Sequence, residues 1–151
     1  MTTTTPSETT TRGSGQGFVK ITGWIVAVVG AVMLVAGGVT WFVVQDQLAA
    51  EKITVAEDAS FLAGNDVNGP LSAYAQADII NHHALEASGG KTYAELDRED
   101  PVRATMMNAS FLRASLFTSV VSFGVALMAM ALGVVQILGG IALTRVAGAR
   151  A

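Results

Sequence analysis

Two stretches without an ionisable side chain, Ile21–Val44 and Ala114–Thr144, set the plan of the chain. Between them, charges and turn-forming residues recur every few positions. Each stretch exceeds the ~20 apolar residues that carry a helix across the hydrocarbon layer. Within the second, small or weakly polar residues alternate at spacings of four and three: Ser115, Ser119, Ser122, Ala126, Ala129, Gly133, Gln136 and Gly140. That spacing draws one stripe down a helix, at the period of a left-handed seam. Leu116, Phe117, Val121, Phe123, Val125, Leu127, Met128, Leu132, Val135 and Leu138 are expected on the opposite surface. A soluble core helix would turn its large side chains to the packing face. In lipid, tails are as apolar as leucine, so helices associate by close approach of small residues. The first stretch carries a shorter stripe of Gly23, Ala27, Gly30, Leu34, Gly37 and Trp41. The pattern predicts an all-α membrane protein: a hairpin of two transmembrane helices, residues 18–44 and 114–144, with a small, mostly helical extracytoplasmic insert. Whether the stripes face each other or a neighbouring protein stays open at this stage.

The remaining segments fill in around the spans. Residues 1–17 are rich in threonine and end in Gly-Ser-Gly-Gln-Gly, with no apolar face to bury, so a disordered tail is expected. Phe18 and Trp24 near one end of the first span, and Trp41 and Phe42 near the other, suit the two membrane interfaces. The apolar run is longer than the core of a cleaved signal peptide, which favours an uncleaved anchor. In the insert, 45–113, Gln45–Lys52 continues the first helix and Ile53–Val55 is β-branched and suits an extended piece. Phe61–Gly69 is turn chemistry, and Pro70 opens a helix that Ser88-Gly89-Gly90 closes. Thr92 and Glu95 have capping-box spacing for a short helix reaching about Asp100. Asp100-Pro101 then starts a helix that runs straight into the second span. Residues 145–151 form a second tail.

Composition sharpens this picture in two ways. Charged residues are only 14% of the chain and 51% are hydrophobic, against roughly 25% charged in ordinary soluble domains. Cysteine is absent, which excludes disulfides and thiolate metal centres. The charges are also unevenly placed. The insert holds eleven acidic and five basic residues, whereas Arg12, Lys20, Arg145 and Arg150 flank the spans on the other side. The positive-inside rule then places both termini in the cytoplasm and residues 45–113 outside, in a two-pass plasma-membrane protein.

Candidate chemistry is sparse. His82 and His83 are the only histidines. Asp78, His82 and Glu86 share a helix face at four-residue steps, and His83 pairs with Glu86 by spacing. One histidine and two carboxylates make at most a weak oxygen and nitrogen metal site, because a metal centre needs three or four converging ligands. A solvated helix face is the simpler reading. No nucleophile elbow, Ser-His-Asp order or phosphate-binding glycine loop is present. Neither span carries a charge that would mark a proton or ion path. Gln136 lies on the small-residue stripe and suits a hydrogen bond across a helix interface. No catalytic residue, cofactor or nucleic-acid partner is expected.

Several motifs resemble an actinobacterial two-span membrane family often labelled aromatic ring-opening dioxygenase. They are Leu62-Ala-Gly-Asn-Asp-Val-Asn-Gly-Pro70, Ala73-Tyr-Ala-Gln-Ala77, Asn81-His-His-Ala84, Lys91-Thr-Tyr-Ala-Glu-Leu-Asp97, and Asp100-Pro-Val-Arg-Ala-Thr-Met-Met-Asn-Ala-Ser-Phe-Leu-Arg113. The residues give the dioxygenase label no support, since no iron-ligand set converges. The chain also resembles the CtaJ-type accessory subunits of actinobacterial aa3-type cytochrome c oxidase, an enzyme joined to cytochrome bcc in a respiratory supercomplex. That resemblance implies a non-catalytic structural or assembly subunit without haem or copper ligands. Its partners would be membrane lipids and other membrane subunits, those of the oxidase or of cytochrome bcc. The alternative is a free-standing cell-envelope protein whose insert binds a ligand or a metal.

Overall fold

The computed structural model of the protein describes residues 13–149. Three α-helices follow in order: α1 (Gly13–Ala50), α2 (Pro70–Ala87) and α3 (Arg103–Ala149), with one 3-10 turn at Tyr93–Glu95. Both α1 and α3 are long and apolar enough to cross a membrane. The tail expected over 1–17 falls partly outside the described residues, at 1–12. Its last five residues, Gly13–Gly17, belong to α1. Each glycine there disfavours helix by about 1 kcal/mol, but adding residues to a formed helix avoids the cost of nucleation.

Two compact units are distinguished, one up to Val35 and from Met130 onward, the other Ala36–Ala129. In the first, α1 and α3 cross antiparallel at glycines. Gly23 lies against Gly140, and Gly30 against Gly133.

In the second unit, α1 closes at Lys52, a residue with φ of 51°, and its last turn is satisfied by Glu51 N–H to Leu48 O and Lys52 N–H to Ala49 O. The segment after it doubles back on itself. Thr54 and Asp66 form an isolated antiparallel bridge, with Val55 N–H donating to Asn65 O and Val67 N–H to Ile53 O. The pairing turns Val55 and Val67 inward, where both are fully buried. Gln76 of α2 holds this segment from the side, its Oε1 accepting the Ala56 N–H at 3.0 Å.

Pro70 occupies the first turn of α2, where a missing N–H costs nothing. Ser72 Oγ accepts the Asn68 and Gly69 N–H groups, both at 3.2 Å. At the other end, Gly90 N–H reaches back to Leu85 O, and Gly89 and Gly90 take φ of 65° and 85°. These left-handed values are open to glycine at no steric cost, so Ser88-Gly89-Gly90 ends the helix.

The helix expected from Thr92 to about Asp100 is only the single 3-10 turn. Its capping box is formed, with Glu95 Oε2 accepting from Thr92 N–H at 2.8 Å and from Thr92 Oγ1 at 2.7 Å. The turn ends at Leu96, whose backbone is extended, and Arg103 braces it. Arg103 Nη1 donates to Leu96 O at 2.6 Å and Tyr93 O at 3.3 Å, and the guanidinium lies 4.1 Å from the Tyr93 ring centroid. Asp100 Oδ1 accepts the Val102 N–H, and α3 starts at Arg103.

Two apolar clusters hold this unit. The larger joins Leu48, Val55, Val67, Ala73, Ala75, Ala77, Leu116 and Phe123, with Trp41 set edge-on to Phe123 at 4.7 Å between ring centroids. The smaller joins Ala84, Leu96 and Met106. The start of α2 therefore lies beside Leu116 and its end beside Met106, so α2 runs antiparallel to α3.

Candidate functional site

Two features bear on function: the small-residue stripes, and the Asp78, His82, Glu86 face, a weak metal candidate read more simply as a solvated helix face. The stripes divide at the boundary of the two units.

In the first unit, Gly23, Gly30, Gly133 and Gly140 are buried and face one another, with Ala27 half-buried between them. A Cβ at Gly30 would lie 2.6 Å from Gly133 O, and one at Gly133 would lie 2.6 Å from Gly30 O. At Gly140 it would press on Gly23 O and stand 2.6 Å from Ala27 N. Both stripes are thus occupied by each other here. Gln136 is half-buried opposite Gly30. Among the described residues its side chain makes no hydrogen bond, so the bond expected from its position on the stripe is not formed.

In the second unit, the buried face of α3 keeps to the expected stripe at Ala126 but lies one position away from it at Leu116 and Phe123. Leu116, Phe123 and Ala126 are buried, whereas Ser115 is exposed and Ser119, Ser122 and Ala129 are half-buried. Leu116 and Phe123 therefore correct the expectation that they lie opposite the packing face. The reason is the insert. Its cluster needs bulk to fill the space between α1, α2 and α3, and leucine and phenylalanine supply it. The hydroxyls turn back on their own helix: Ser119 Oγ to Ser115 O, Ser122 Oγ to Thr118 O and Thr118 Oγ1 to Ala114 O. On α1, Gly37 is buried in line with Gly23 and Gly30 at heptad spacing.

On α2, Asp78, His82 and Glu86 share the exposed face together with Leu71 and Tyr74. His82 Nε2 pairs with Glu86 Oε1 at 3.2 Å. Asp78 and His82 line a shallow hollow of about 320 Å³ with Asp58, Ser60, Asn81 and Leu85. Among the described residues, no three His, Cys, Asp or Glu side chains converge as a metal site would require. Spacing pointed to His83 with Glu86. The structure instead pairs His83 Nε2 with Asp58 Oδ2 at 2.6 Å, twenty-five positions away. No local spacing signals that bond, because the doubled-back segment supplies the carboxylate.

The His83 hydrogen bond holds the Asp58 carboxyl below its ordinary value of 3.8, the largest of several causes. The folded value is lowered, so the tie contributes stability above the unfolded value and loses it as pH falls through the folded one. Acidification below the ordinary aspartate range is expected to free the loop at Asp58 from α2. A nuclear magnetic resonance titration of the Asp58 and Ala56 amides should show this step in the native chain and not in Asp58→Asn. Identical curves would count against it. The effect is small, since both side chains are largely exposed and solvent screens the pair.

Comparison of the chain with protein-family models, with curated proteins and with solved structures gives no match.

Proposed function

We propose that the chain is a two-pass plasma-membrane protein acting as a non-catalytic accessory subunit of a respiratory complex, a cytochrome c oxidase or an oxidase joined to cytochrome bcc. Both termini are cytoplasmic and the acidic insert is outside, as the basic flanks favour. The motif resemblance in the insert and the start of α3 supports the choice of complex.

One structural observation carries the subunit reading. Met107 and Phe111, one helical turn apart on α3, are 41% and 65% exposed, with Leu112 beside them. They stand above the apolar part of the helix. Trp41 meets Phe123 and Leu48 shares a cluster with Leu116, so Phe117 is level with Gln47, just past the apolar run of α1, and Phe111 lies about 9 Å beyond it at 1.5 Å per residue. That exceeds the ~5–7 Å of a headgroup layer, by the difference between total and hydrocarbon thickness. An apolar strip clear of the lipid suits a protein neighbour. The glycine stripes are already filled within the chain, so docking falls to this strip and to the outward faces of the long helices. Val28, Val32 and Val35 of α1 and Val121, Val125 and Val135 of α3 remain exposed there.

A tagged chain purified in mild detergent should bring down oxidase subunits, and Phe111→Glu should lose them while keeping the helical content. Purification of the native chain as a homogeneous monomer or homodimer would refute the proposal. It would favour the alternative, a free-standing envelope protein whose insert takes a ligand at the hollow beside Asp78 and His82.

A further inference from the structure

The exposed face of α2 changes character along its length. Leu71 and Tyr74 at its start are 69% and 46% exposed, and Asp78, His82 and Glu86 follow on the same face. The apolar end is extended by the preceding loop. The Phe61 ring lies 6.3 Å from Tyr74, and Tyr74 meets Phe117 of α3 edge-on at 5.9 Å. Leu62 lines the same hollow as Leu71, together with Asn65, Asp66 and Asn68. Leu62 holds φ of 55°, a left-handed value unusual for leucine, and its side chain is exposed nonetheless. Apolar burial within the chain does not explain that conformation.

The depth of this patch follows from contacts within the unit. Trp41 of α1 meets Phe123, and Leu48 shares a cluster with Leu116. In antiparallel helices that register sets Phe117 level with Gln47, just past Gln45 and Asp46, where the apolar run of α1 ends. Phe61, Tyr74 and Phe117 thus lie where hydrocarbon gives way to headgroups, the depth that amphipathic rings favour. The far end of α2, beside Met106, is the acidic end. A cation stands at the rim as well. Arg113 lies one turn above Phe117, with its guanidinium 5.7 Å from that ring, and makes no ion pair among the described residues. Its Nε is buried without a hydrogen-bond partner.

We infer that Phe61, Leu62, Leu71 and Tyr74 form a lipid-contact surface, by which the insert rests its apolar end in the outer leaflet with Arg113 facing the phosphate layer. This rests on the membrane reading above. The absence of cysteine makes the test clean. Leu62→Cys, Leu71→Cys, Val125→Cys and Asp97→Cys are each nitroxide-labelled in the full chain, reconstituted in phosphatidylcholine and phosphatidylglycerol vesicles. Collision with oxygen, which partitions into lipid, is compared with collision with a water-soluble nickel chelate. The oxygen-to-nickel ratio at 62 and 71 should be several-fold above that at 97 and approach that at 125. A ratio at either position equal to that at 97 overturns the inference. So does shielding from both reagents, which would mean a protein covers the patch. A water-like ratio at 125 defeats the membrane reading itself.

Discussion

Gly140→Leu is expected to cost about 3 kcal/mol or more, at or beyond the upper end of ordinary overpacking. The atoms in the way are backbone: Gly23 O and Ala27 N. A flexible side chain could swing aside, but a carbonyl on a packed helix moves only with the helix. Leucine at 140 therefore has to part α1 from α3 along the turns around Gly23. Gly139 is the control, since a Cβ there meets nothing within 4 Å, and the same holds for Gly38. Gly139→Ala and Gly38→Ala should be neutral or gain up to about 1 kcal/mol from helix propensity. Reversible unfolding in mixed micelles of a mild detergent and dodecyl sulfate measures all three. Equal losses at positions 139 and 140 would show that the crossing is not where the carbonyl contacts place it.

Phe123→Ala is the second large effect, and its size reports the surroundings. Phe123 is 1% exposed and holds Trp41 edge-on. In an aqueous core, phenylalanine to alanine costs about 3–5 kcal/mol, part transfer to water and part cavity. In a membrane the separated helices would expose the ring to lipid, so the transfer part falls away. The cavity part remains. At about 24 cal/mol per Å³ over the roughly 100 Å³ removed, it comes to about 2 kcal/mol. The expected loss is therefore about 2 kcal/mol in the same unfolding assay. A loss above about 4 kcal/mol would mean that the unfolded reference is water at this position.

The long elements were legible because their causes are local. Uncharged length marks α1 and α3, and Pro70 with Ser88-Gly89-Gly90 brackets α2. The capping pair Thr92 and Glu95 was legible too, yet the turn it opens ends at Leu96, braced by Arg103, whose hold on the Tyr93 and Leu96 carbonyls is a tertiary effect. The stripe on α3 marks its buried face where only another helix has to fit, at Gly133 and Gly140. It slips by one position at Leu116 and Phe123, where a third element adds volume to be filled. Periodicity identifies the side of a helix that can be approached closely. It does not say how much space lies beyond. His83 and Asp58 lay outside its reach for a similar reason: the loop that joins them is fixed by Val55 and Val67 going inward, not by any spacing between the two partners.

The contact surface of α2 combines Ala73, Ala75 and Ala77 in one cluster and Ala84 in the other with larger side chains, Ile79 buried and Ile80 and Leu85 packed against the clusters. The alanines allow close approach, and the isoleucines and Leu85 supply the ridges that seat against the neighbouring elements. Further ties sit at its edges, in the Gln76 bond to Ala56, the His83 bond to Asp58 and the ring contact of Tyr74 with Phe117. Its grip depends on apolar contact, and its position along α3 is reinforced by these polar and aromatic fastenings. Of these fastenings only the His83–Asp58 pair is ionisable, so acid removes one tie and leaves Gln76 and Tyr74 holding α2 in register.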